Sequence, residues 1–433
     1  MRTLIKNGYV IDPASDREGY YDILLEGERI RSIEQELSIK DTEHDLLLDA
    51  SGCYVMPGFI DLHVHLREPG YEYKETIRTG SMAAAAGGFT TICPMPNTKP
   101  STDSPESLAF VCQRAGQEAV VNILPVAAIT KEQEGRELTD ISSLAAAGAV
   151  ALSEDGKSVM DTALYKKAMQ QAAAVGIPIL AHCEDKSLVG RGVINAGKKA
   201  AELGLEGISN AVEDIIVARD ILLAKETGAQ LHLCHCSTKD SVRMLGAAKG
   251  EGLPVSGEVC PHHFILTDED ITEDDANYKM NPPLRSKEDV AALKQGLKDG
   301  TLEVIATDHA PHSREEKEKS FREAPFGIVG LETAFALTAT ELLHAGYLTA
   351  RQLVEKLSTN PARILGIDRG SLKVGGVADI VIANPEQEYL IDQNTFFSKG
   401  RNTPFHGRKV KGKIRYTLVS GKLVYDGSQH RIL

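Results

Sequence analysis

Short apolar runs recur along the chain, and most of them are followed at once by a histidine or an aspartate. Continuous apolar runs are typical of strands that are buried on both faces, as in a parallel sheet covered by helices. We find about eight runs, the number that a (β/α)₈ barrel requires. They occupy residues 54–60, 89–93, 120–126, 149–154, 178–181, 230–234, 254–259 and 303–307.

Between these runs lie alanine-rich segments in which apolar residues recur at helical spacing. Alternating strand and helix signals predict parallel strands joined by helices, and we therefore expect an α/β fold with a TIM-type (β/α)₈ barrel. In such a barrel the functional residues lie at the carboxyl ends of the strands. The helical segments are residues 76–86, 162–175, 211–227, 241–249, 287–297 and 331–345.

The two ends of the chain contain strand-like segments without helices between them. A turn-rich stretch near residue 374 leads into the segments at the C-terminal end. Strand-rich segments of this kind bury their apolar faces by packing together. We expect a small β-sandwich domain formed by residues 1–54 and 367–433, beside a barrel of residues 55–366.

Length, charge and cysteine content restrict the class of protein. The chain has 433 residues and a formal net charge of -13, which disfavours binding to nucleic acid or to an anionic membrane. No apolar stretch approaches the roughly 20 residues of a membrane span, and the N-terminus lacks a secretory signal pattern. The seven cysteines lie mostly in apolar runs, as expected of buried thiols in a reducing compartment. We expect a cytoplasmic protein.

Residues that can bind a metal follow the apolar runs. His63 and His65 are two residues apart, so in a strand they point to the same side and can share one metal ion. A single His-x-His pair is weak evidence, but the ends of other runs strengthen it. The carboxyl ends of barrel strands meet at one face, which would bring all these residues together. The others are Asp155, His182, His235 and Asp308.

Some neighbouring residues are not assigned to this site. Strand alternation is expected to turn His232, Cys234 and Cys236 away from the side of the candidate site. His262 and His263 follow another strand end and stay unassigned. Surface or packing positions are expected for His44, His344, His406 and His430.

Longer motifs around these positions are specific to one family. The chain resembles the amidohydrolase superfamily and, within it, the class I dihydroorotases over essentially its whole length. Each motif alone is moderately specific, and together they are highly specific. The motifs are DLHVHLREPG at 61–70, PMPNT at 94–98, SEDG at 153–156, HCE at 182–184, His235, NPPLR at 281–285 and ATDHAPH at 306–312.

The resemblance implies a zinc-dependent enzyme that reversibly cyclises N-carbamoyl-L-aspartate to L-dihydroorotate in de novo pyrimidine synthesis. Zinc lowers the pKa of a bound water, which would then attack the ring amide carbonyl in the hydrolytic direction. The resemblance assigns His63, His65 and Asp308 to one zinc ion and His182 and His235 to a second, with Asp155 as the bridge.

The resemblance also implies roles in proton transfer and substrate binding. Asp308 would take the proton of the water and pass it to the leaving nitrogen. Arg67 lies two residues beyond His65, on the same side if the strand continues, and offers a planar fork for the substrate's carboxylate. From the sequence alone, Asn97 and Asn281 could equally be turn residues beside proline. The substrate contacts implied by the resemblance are His65, Asn97, Asn281, His312 and the backbone at Phe326 and Gly327.

The charged run at residues 312–323 has two interpretations, a solvated face or a mobile loop over the site.

The residue that bridges the two metal ions also has two interpretations. Hydantoinases and dihydropyrimidinases typically use a carboxylated lysine there, whereas this chain has Asp155, with Lys157 two residues further on. Because an aspartate is shorter than a carboxylated lysine, the site could bind one or two zinc ions per chain. We expect two.

Three functions remain open on this basis. The first is dihydroorotase, and the second is a related hydrolase of hydantoin, dihydropyrimidine or allantoin. The third is a non-catalytic dihydroorotase-like subunit that scaffolds aspartate transcarbamoylase. Arg67 with Asn97 favours the first over the second, and the complete ligand set argues against the third. We expect a homodimer because two-fold dimers are the commonest oligomers, and an association with aspartate transcarbamoylase stays open.

Overall fold

A computed structural model describes residues 2–37 and 45–433, so that His44 lies outside the described residues. The strands of the described residues are β1 (Arg2–Asp12), β2 (Arg17–Glu26), β3 (Arg29–Glu34), β4 (Leu46–Asp49), β5 (Tyr54–Pro57), β6 (Phe59–Val64), β7 (Phe89–Pro94), β8 (Asn122–Ile123), β9 (Val126–Ala128), β10 (Ala151–Ser153), β11 (Ile179–Ala181), β12 (Ile194–Asn195), β13 (Gly207–Ile208), β14 (Leu231–Leu233), β15 (Val255–Val259), β16 (Val304–Ile305), β17 (Ile380–Leu390), β18 (Lys409–Val419), β19 (Lys422–Asp426) and β20 (Arg431–Ile432).

The helices alternate with the strands through the middle of the chain. They are α1 (Ile77–Ala86), α2 (Pro105–Glu118), α3 (Ile141–Ala146), α4 (Thr162–Val175), α5 (Lys186–Val189), α6 (Lys198–Leu203), α7 (Ala211–Thr227), α8 (Lys239–Gly250), α9 (Pro261–Ile265), α10 (Lys287–Asp299), α11 (Arg314–Lys317), α12 (Ala334–Thr338), α13 (Ala350–Val354) and α14 (Asn360–Leu365). Two π-helical segments, Ala339–Leu343 and Glu355–Thr359, follow α12 and α13. Among the described residues, no helix is long and apolar enough to cross a membrane.

Parallel strands at eight positions form the barrel. They run in the order β6-β7-β8 and then β9-β10-β11-β14-β15-β16. Because β8 and β9 are separated by only Leu124 and Pro125, they make up one interrupted barrel strand. A parallel bridge between Val64 and His309 connects the first position to the last. The predicted (β/α)₈ barrel is confirmed.

The apolar runs form strands because both of their faces are covered. Every residue of β6 and β7 is buried. Several helices begin at a polar capping residue, and in α1 the Thr76 side chain accepts the backbone N–H of Thr79. The predicted helices at 162–175 and 211–227 are α4 and α7, with the same bounds.

Strands from both ends of the chain form a second domain. Its order is β20-β19-β18-β17-β5-β1-β2-β3, and β4 pairs with β1, so that all nine strands belong to one hydrogen-bonded sheet. Antiparallel pairing of β17 with β5 joins the C-terminal half to the N-terminal half. Residues of both halves share one apolar core, including Ile5, Ile23, Val55, Ile380 and Leu418. We expected a small β-sandwich domain formed by the two ends; a β-sheet domain built from both ends is confirmed, and its exact boundaries stay a prediction.

The predicted strand at residues 54–60 is divided at Gly58. β5 belongs to the terminal sheet, and β6 begins the barrel. The Gly58 N–H donates to the Asp379 carbonyl at 2.9 Å, and a Cβ atom at Gly58 would lie 2.1 Å from Thr90 Oγ1. A side chain at Gly58 would collide with Thr90 on β7, the neighbouring barrel strand.

Gly58→Ala should therefore lower the free energy of unfolding by about 1–3 kcal/mol, the usual cost of overpacking. Denaturant-induced unfolding measures this change. The matched control is Gly116→Ala in α2, where an added Cβ meets no atom within 4 Å. The control should keep or raise the stability, since alanine favours helix more than glycine does. Equal stability of the two variants would contradict the close approach at Gly58.

Candidate metal and active site

A cavity of about 180 Å³ lies at the carboxyl ends of the barrel strands. This is the face at which barrel enzymes place their functional residues. Two predicted site residues, His63 and His312, do not line it; both are buried beside it. The predicted residues that line the cavity are His65, Arg67, Asn97, Asp155, His182, His235, Asn281, Asp308, Phe326 and Gly327.

Asp155 lies at the centre of the predicted ligand set, because its carboxylate contacts four histidines. Oδ1 is 3.1 Å from His63 Nε2, 3.6 Å from His182 Nδ1 and 3.8 Å from His235 Nε2. Oδ2 is 3.5 Å from His65 Nε2. Burial alone would raise the pKa of the Asp155 carboxyl, but the surrounding histidines, His63 first, lower it well below its usual value. Asp155 is therefore ionised, and it lies between the two groups of histidines.

Asp308 approaches the same cluster from the last barrel strand. Its Oδ1 lies 3.1 Å from His65 Nε2 and 3.6 Å from His63 Nε2. Burial raises the pKa of the Asp308 carboxyl, yet the hydrogen bond from His65 and the nearby ring of His63 outweigh burial and lower it. Asp308 is thus an ionised carboxylate. It lies beside His63 and His65, the two histidines that the family resemblance assigns to the same zinc ion.

Three residues of the site have left-handed backbones. The φ angle is 62° at Arg67, 34° at His235 and 47° at Asp308. Such angles are unfavourable for residues other than glycine, and they persist only where surrounding contacts enforce them. All three residues lie just beyond the ends of barrel strands, where the backbone turns to direct side chains into the cavity.

The cluster has the chemistry of a cation site. Nδ1 of His182 and Nε2 of His235 are only 2.9 Å apart, so the two nitrogens need a shared proton or a cation between them. Nε2 of His63 is buried and has no hydrogen-bond partner in the described part of the chain. Imidazole nitrogens and carboxylate oxygens are the ligands that Zn²⁺ accepts in catalytic sites. These residues therefore fit a divalent cation.

Arg67 reaches the cavity by a different route from the one expected. β6 ends at Val64, so strand alternation does not place Arg67, and the assumption of a continuing strand is wrong. The left-handed backbone at Arg67 directs its half-buried guanidinium into the cavity instead. There Nε donates to the Pro311 carbonyl at 3.2 Å, and one terminal nitrogen lies 3.4 Å from His312 Nε2.

The two asparagines that line the cavity contact neighbouring site residues. Oδ1 of Asn97 lies 3.0 Å from His65 Nδ1, and its amide donates to Asp155 Oδ2 at 3.1 Å. The amide of Asn281 donates to Glu184 Oε1 at 2.8 Å, while Glu184 Oε2 lies 3.6 Å from His182 Nε2. Both asparagines therefore orient predicted metal ligands, Asn97 directly and Asn281 through Glu184.

His312 lies behind the cavity wall. Its Nδ1 accepts a hydrogen bond from Lys74 Nζ at 3.2 Å, and its Nε2 lies 2.8 Å from the Phe326 carbonyl. Burial, followed by the nearby charge of Arg67, lowers the pKa of the His312 ring. His312 is therefore neutral, with its Nε2–H directed at the Phe326 carbonyl, and the ring lies beside the Arg67 guanidinium.

Lys157 and the two unassigned histidines lie outside the cavity. Lys157 Nζ donates to the Gln133 carbonyl at 2.9 Å. His262 and His263 are buried on α9, where His263 Nε2 lies 2.8 Å from the Pro282 carbonyl. None of the three side chains enters the cavity, whereas Asp155 does.

Cys234 does not line the cavity, as strand alternation predicts. Its thiol lies with ligand atoms of His63 and Glu258, all within 4.8 Å of one another. The same region contains two residues that the sequence did not assign, Glu258 and His232, whose side chains contact each other at 3.0 Å. In the sequence, only the positions of Glu258 and His232 within apolar strands could have indicated that these two polar residues belong to the site.

The charged run at residues 312–323 contains a buried lysine. Lys317 Nζ lies within 3.3 Å of three carbonyl oxygens, those of Lys279, Pro325 and Gly327. Burial lowers the pKa of this lysine to about 7. Its contacts fix the segment that carries Phe326 and Gly327 against the cavity, so part of the run has a structural role; motion of the remainder stays a prediction.

Known proteins resemble this chain over its full length. A family model described as Dihydro-orotase-like matches residues 52–241. A dihydroorotase of Caldanaerobacter subterraneus subsp. tengcongensis is 49% identical over 426 residues, which is 98% of each chain. The chain belongs to the dihydroorotase family. Another relative of this family, a dihydroorotase of a Geobacillus species, is 53% identical over 384 residues, covering 89% of this chain and 90% of the relative.

Solved structures related to this dihydroorotase-family chain share its architecture. An L-hydantoinase (dihydropyrimidinase) from Arthrobacter aurescens superimposes with a TM-score of 0.89 at 28% identity, covering 100% of this chain and 97% of the other. A D-hydantoinase (dihydropyrimidinase) from a Thermus species gives a TM-score of 0.85 at 28% identity, with 100% and 96% coverage. Both comparisons support a barrel of the amidohydrolase type.

The contacts of Lys317 lead to a stability prediction. Lys317→Met keeps the apolar stem but leaves three carbonyl groups without their donor, which should lower the free energy of unfolding by about 1–3 kcal/mol. Chemical denaturation of the two proteins measures the difference. The exposed Lys319 in the same run provides the matched control, and Lys319→Met should change stability by no more than about 0.5 kcal/mol. A loss of similar size in both variants would show that Lys317 does not anchor the segment.

Proposed function

We propose that this protein is a metal-dependent dihydroorotase. It closes N-carbamoyl-L-aspartate into L-dihydroorotate with loss of one water, and it opens the ring by the reverse hydrolysis. The reaction is a step of de novo pyrimidine synthesis. The observation that carries the proposal is one cavity that contains both a cation-type cluster around Asp155 and the guanidinium of Arg67.

Arg67 supplies what the substrate's carboxylate requires. No carboxylate lies within 4.0 Å of its guanidinium among residues 2–37 and 45–433, so this half-buried charge has no ion-pair partner of its own. An arginine fork binds a carboxylate by two parallel hydrogen bonds. Both dihydroorotate and N-carbamoyl-L-aspartate carry such a group, whereas unsubstituted hydantoin and dihydrouracil do not.

Zinc is the metal that we propose, with two ions per chain. His63, His65 and Asp308 would bind one ion, and His182 and His235 the other, with Asp155 between them. When bound, such ions lower the pKa of a water and polarise a carbonyl group. The short, ionised Asp155 takes the place that a carboxylated lysine occupies in some related enzymes, and Lys157 contributes no atom to it.

Asp308 is the proposed proton acceptor and donor. Its carboxylate is ionised and lies at the cavity surface, so it can accept a proton in the hydrolytic direction and return it to the leaving ring nitrogen. His65, which lies 3.1 Å from Asp308, orients the carboxylate. Asn97, Asn281 and the backbone at Phe326 and Gly327 border the remaining space and would position the ring.

Two other functions are less well supported. A hydantoinase-type activity fits the fold and the metal ligands but leaves Arg67 without a role. A non-catalytic scaffold for aspartate transcarbamoylase does not require the convergence of six ligand-type side chains. A homodimer, a cytoplasmic location and an association with aspartate transcarbamoylase remain predictions from the sequence.

The first experiment measures metal and activity together. The purified protein should contain zinc, and a strong chelator should abolish dihydroorotate hydrolysis until zinc is restored. His182→Ala should lower the zinc content, whereas His344→Ala, which is outside the cavity, should leave it unchanged. Metal content is measured by mass spectrometry of the digested protein. Full activity in verified metal-free protein would contradict the proposal.

The second experiment tests substrate choice. Arg67→Met leaves the substrate's carboxylate without its partner, at a cost of about 2–5 kcal/mol in kcat/KM for dihydroorotate. Dihydrouracil lacks this carboxylate, so any activity toward it should decline much less. Zinc content should not change, because Arg67 is not a proposed ligand.

Arg78→Met provides the control, since Arg78 is an exposed arginine on α1. Its kcat/KM for dihydroorotate should equal that of the unaltered protein. If Arg67→Met reduced activity toward both substrates equally, Arg67 would have a structural role, and the preference for dihydroorotate would lose its physical basis.

A further inference from the structure

Glu258 and His232 lie beneath the candidate metal site and do not line its cavity. Both side chains are 0% exposed. Glu258 Oε1 lies 3.2 Å from His63 Nδ1, and Oε2 lies 3.0 Å from His232 Nε2. The other ring nitrogen of His232 lies 2.8 Å from Ser256 Oγ. An unbroken series of polar contacts therefore connects His63 with the barrel interior.

The acceptor oxygens of Glu258 determine where the ring protons are. A carboxylate can only accept hydrogen bonds, so each ring nitrogen that faces it must carry a hydrogen. His63 therefore donates from Nδ1, which leaves Nε2 as the ring nitrogen that can bind a cation. That nitrogen faces the candidate cation site, 3.1 Å from Asp155 Oδ1. Glu258 thus selects the tautomer in which His63 presents a ligand atom to a cation.

His232 acts on Glu258 in the same way. It donates from Nε2 to Oε2, which leaves Nδ1 to accept the hydroxyl hydrogen of Ser256. The backbone N–H of His235 donates to Oε1 at 3.3 Å. All the groups that contact the carboxylate are donors, so Glu258 is both compensated for its burial and fixed in one orientation.

We propose that Glu258 and His232 are positioning residues of the metal site, which fix the orientation and the tautomer of the His63 ring. A carboxylate on the far nitrogen of a metal-binding histidine makes the ring a stronger ligand and sets its direction. Strand alternation turns His232 away from the cavity and toward the barrel interior. His232 contacts Glu258 from this interior side. The inference rests on the proposed metal site.

The test measures metal affinity independently of activity. Full-length proteins are depleted of metal, and their affinity for Zn²⁺ is determined by competition with a chromogenic chelator. The melting temperature of each metal-free protein is recorded in parallel, because a loss of packing lowers this temperature without changing affinity. If the unaltered protein bound no zinc, the proposed function would fail, an outcome distinct from failure of the present inference.

Glu258→Gln should weaken zinc binding roughly 10- to 100-fold. The amide offers one acceptor oxygen and turns its NH₂ group toward one of the two ring N–H groups. His232→Leu should weaken binding in the same direction, whereas His232→Gln, which retains a donor, should retain most of the affinity. The double variant Glu258→Gln/His232→Leu should bind no more weakly than Glu258→Gln alone, since His232 acts through Glu258.

Glu213→Gln is the matched control. Glu213 is a buried carboxylate on α7 that accepts hydrogen bonds from Ser237 and Thr238 and does not contact His63. Its zinc affinity should equal that of the unaltered protein. If Glu258→Gln does not fold, the pair His232→Leu and His232→Gln decides the question alone.

Three results would overturn the inference. The first is unchanged affinity in both Glu258→Gln and His232→Leu, and the second is an equal loss in Glu213→Gln. The third involves Cys234, whose thiol lies within 4.8 Å of ligand atoms of His63 and Glu258. If Cys234→Ser removed one bound ion per chain, Glu258 would itself be a metal ligand rather than a positioning residue.

Discussion

The burial of ionised carboxylates among histidines is the constraint on which the rest of this site depends. Asp155 and Asp308 are removed from water at the carboxyl ends of the barrel strands, where an unpaired charge would cost several kcal/mol. Each carboxylate is compensated by imidazole rings from other strands. The compensation requires that strands distant in sequence end at the same depth in the barrel, and parallel pairing provides this arrangement.

The scaffold around this cluster is rigid because its parts support one another. The barrel strands are covered on both faces, and antiparallel pairing of β17 with β5 ties the two ends of the chain together beside the barrel. The left-handed backbones at Arg67, His235 and Asp308 are local strain that this scaffold maintains. Residues just beyond the strand ends can therefore direct their side chains into the cavity. A regular strand would turn the same side chains to another side.

A second layer of polar contacts orients the residues around the cavity. Asn97 connects His65 to Asp155, while Glu184 lies between Asn281 and the ring of His182. Such outer contacts fix ring tautomers and keep ligand atoms directed at one point. The chemistry proposed for the site thus depends on side chains well beyond the six proposed ligands.

Local patterns in the sequence determined the fold class, the helices such as α4 and α7, and the strand ends at which His63 and Asp155 lie. Apolar periodicity carries this information because it reflects which faces of each element are buried. Alternation within a strand says nothing about residues past its last hydrogen bond, and for this reason the route by which Arg67 reaches the cavity could not be derived. The contacts of Glu258 and Lys317 join segments far apart in the chain. Only the tertiary structure decided them, because a buried polar residue selects its partner from whatever the folded barrel brings within hydrogen-bonding distance.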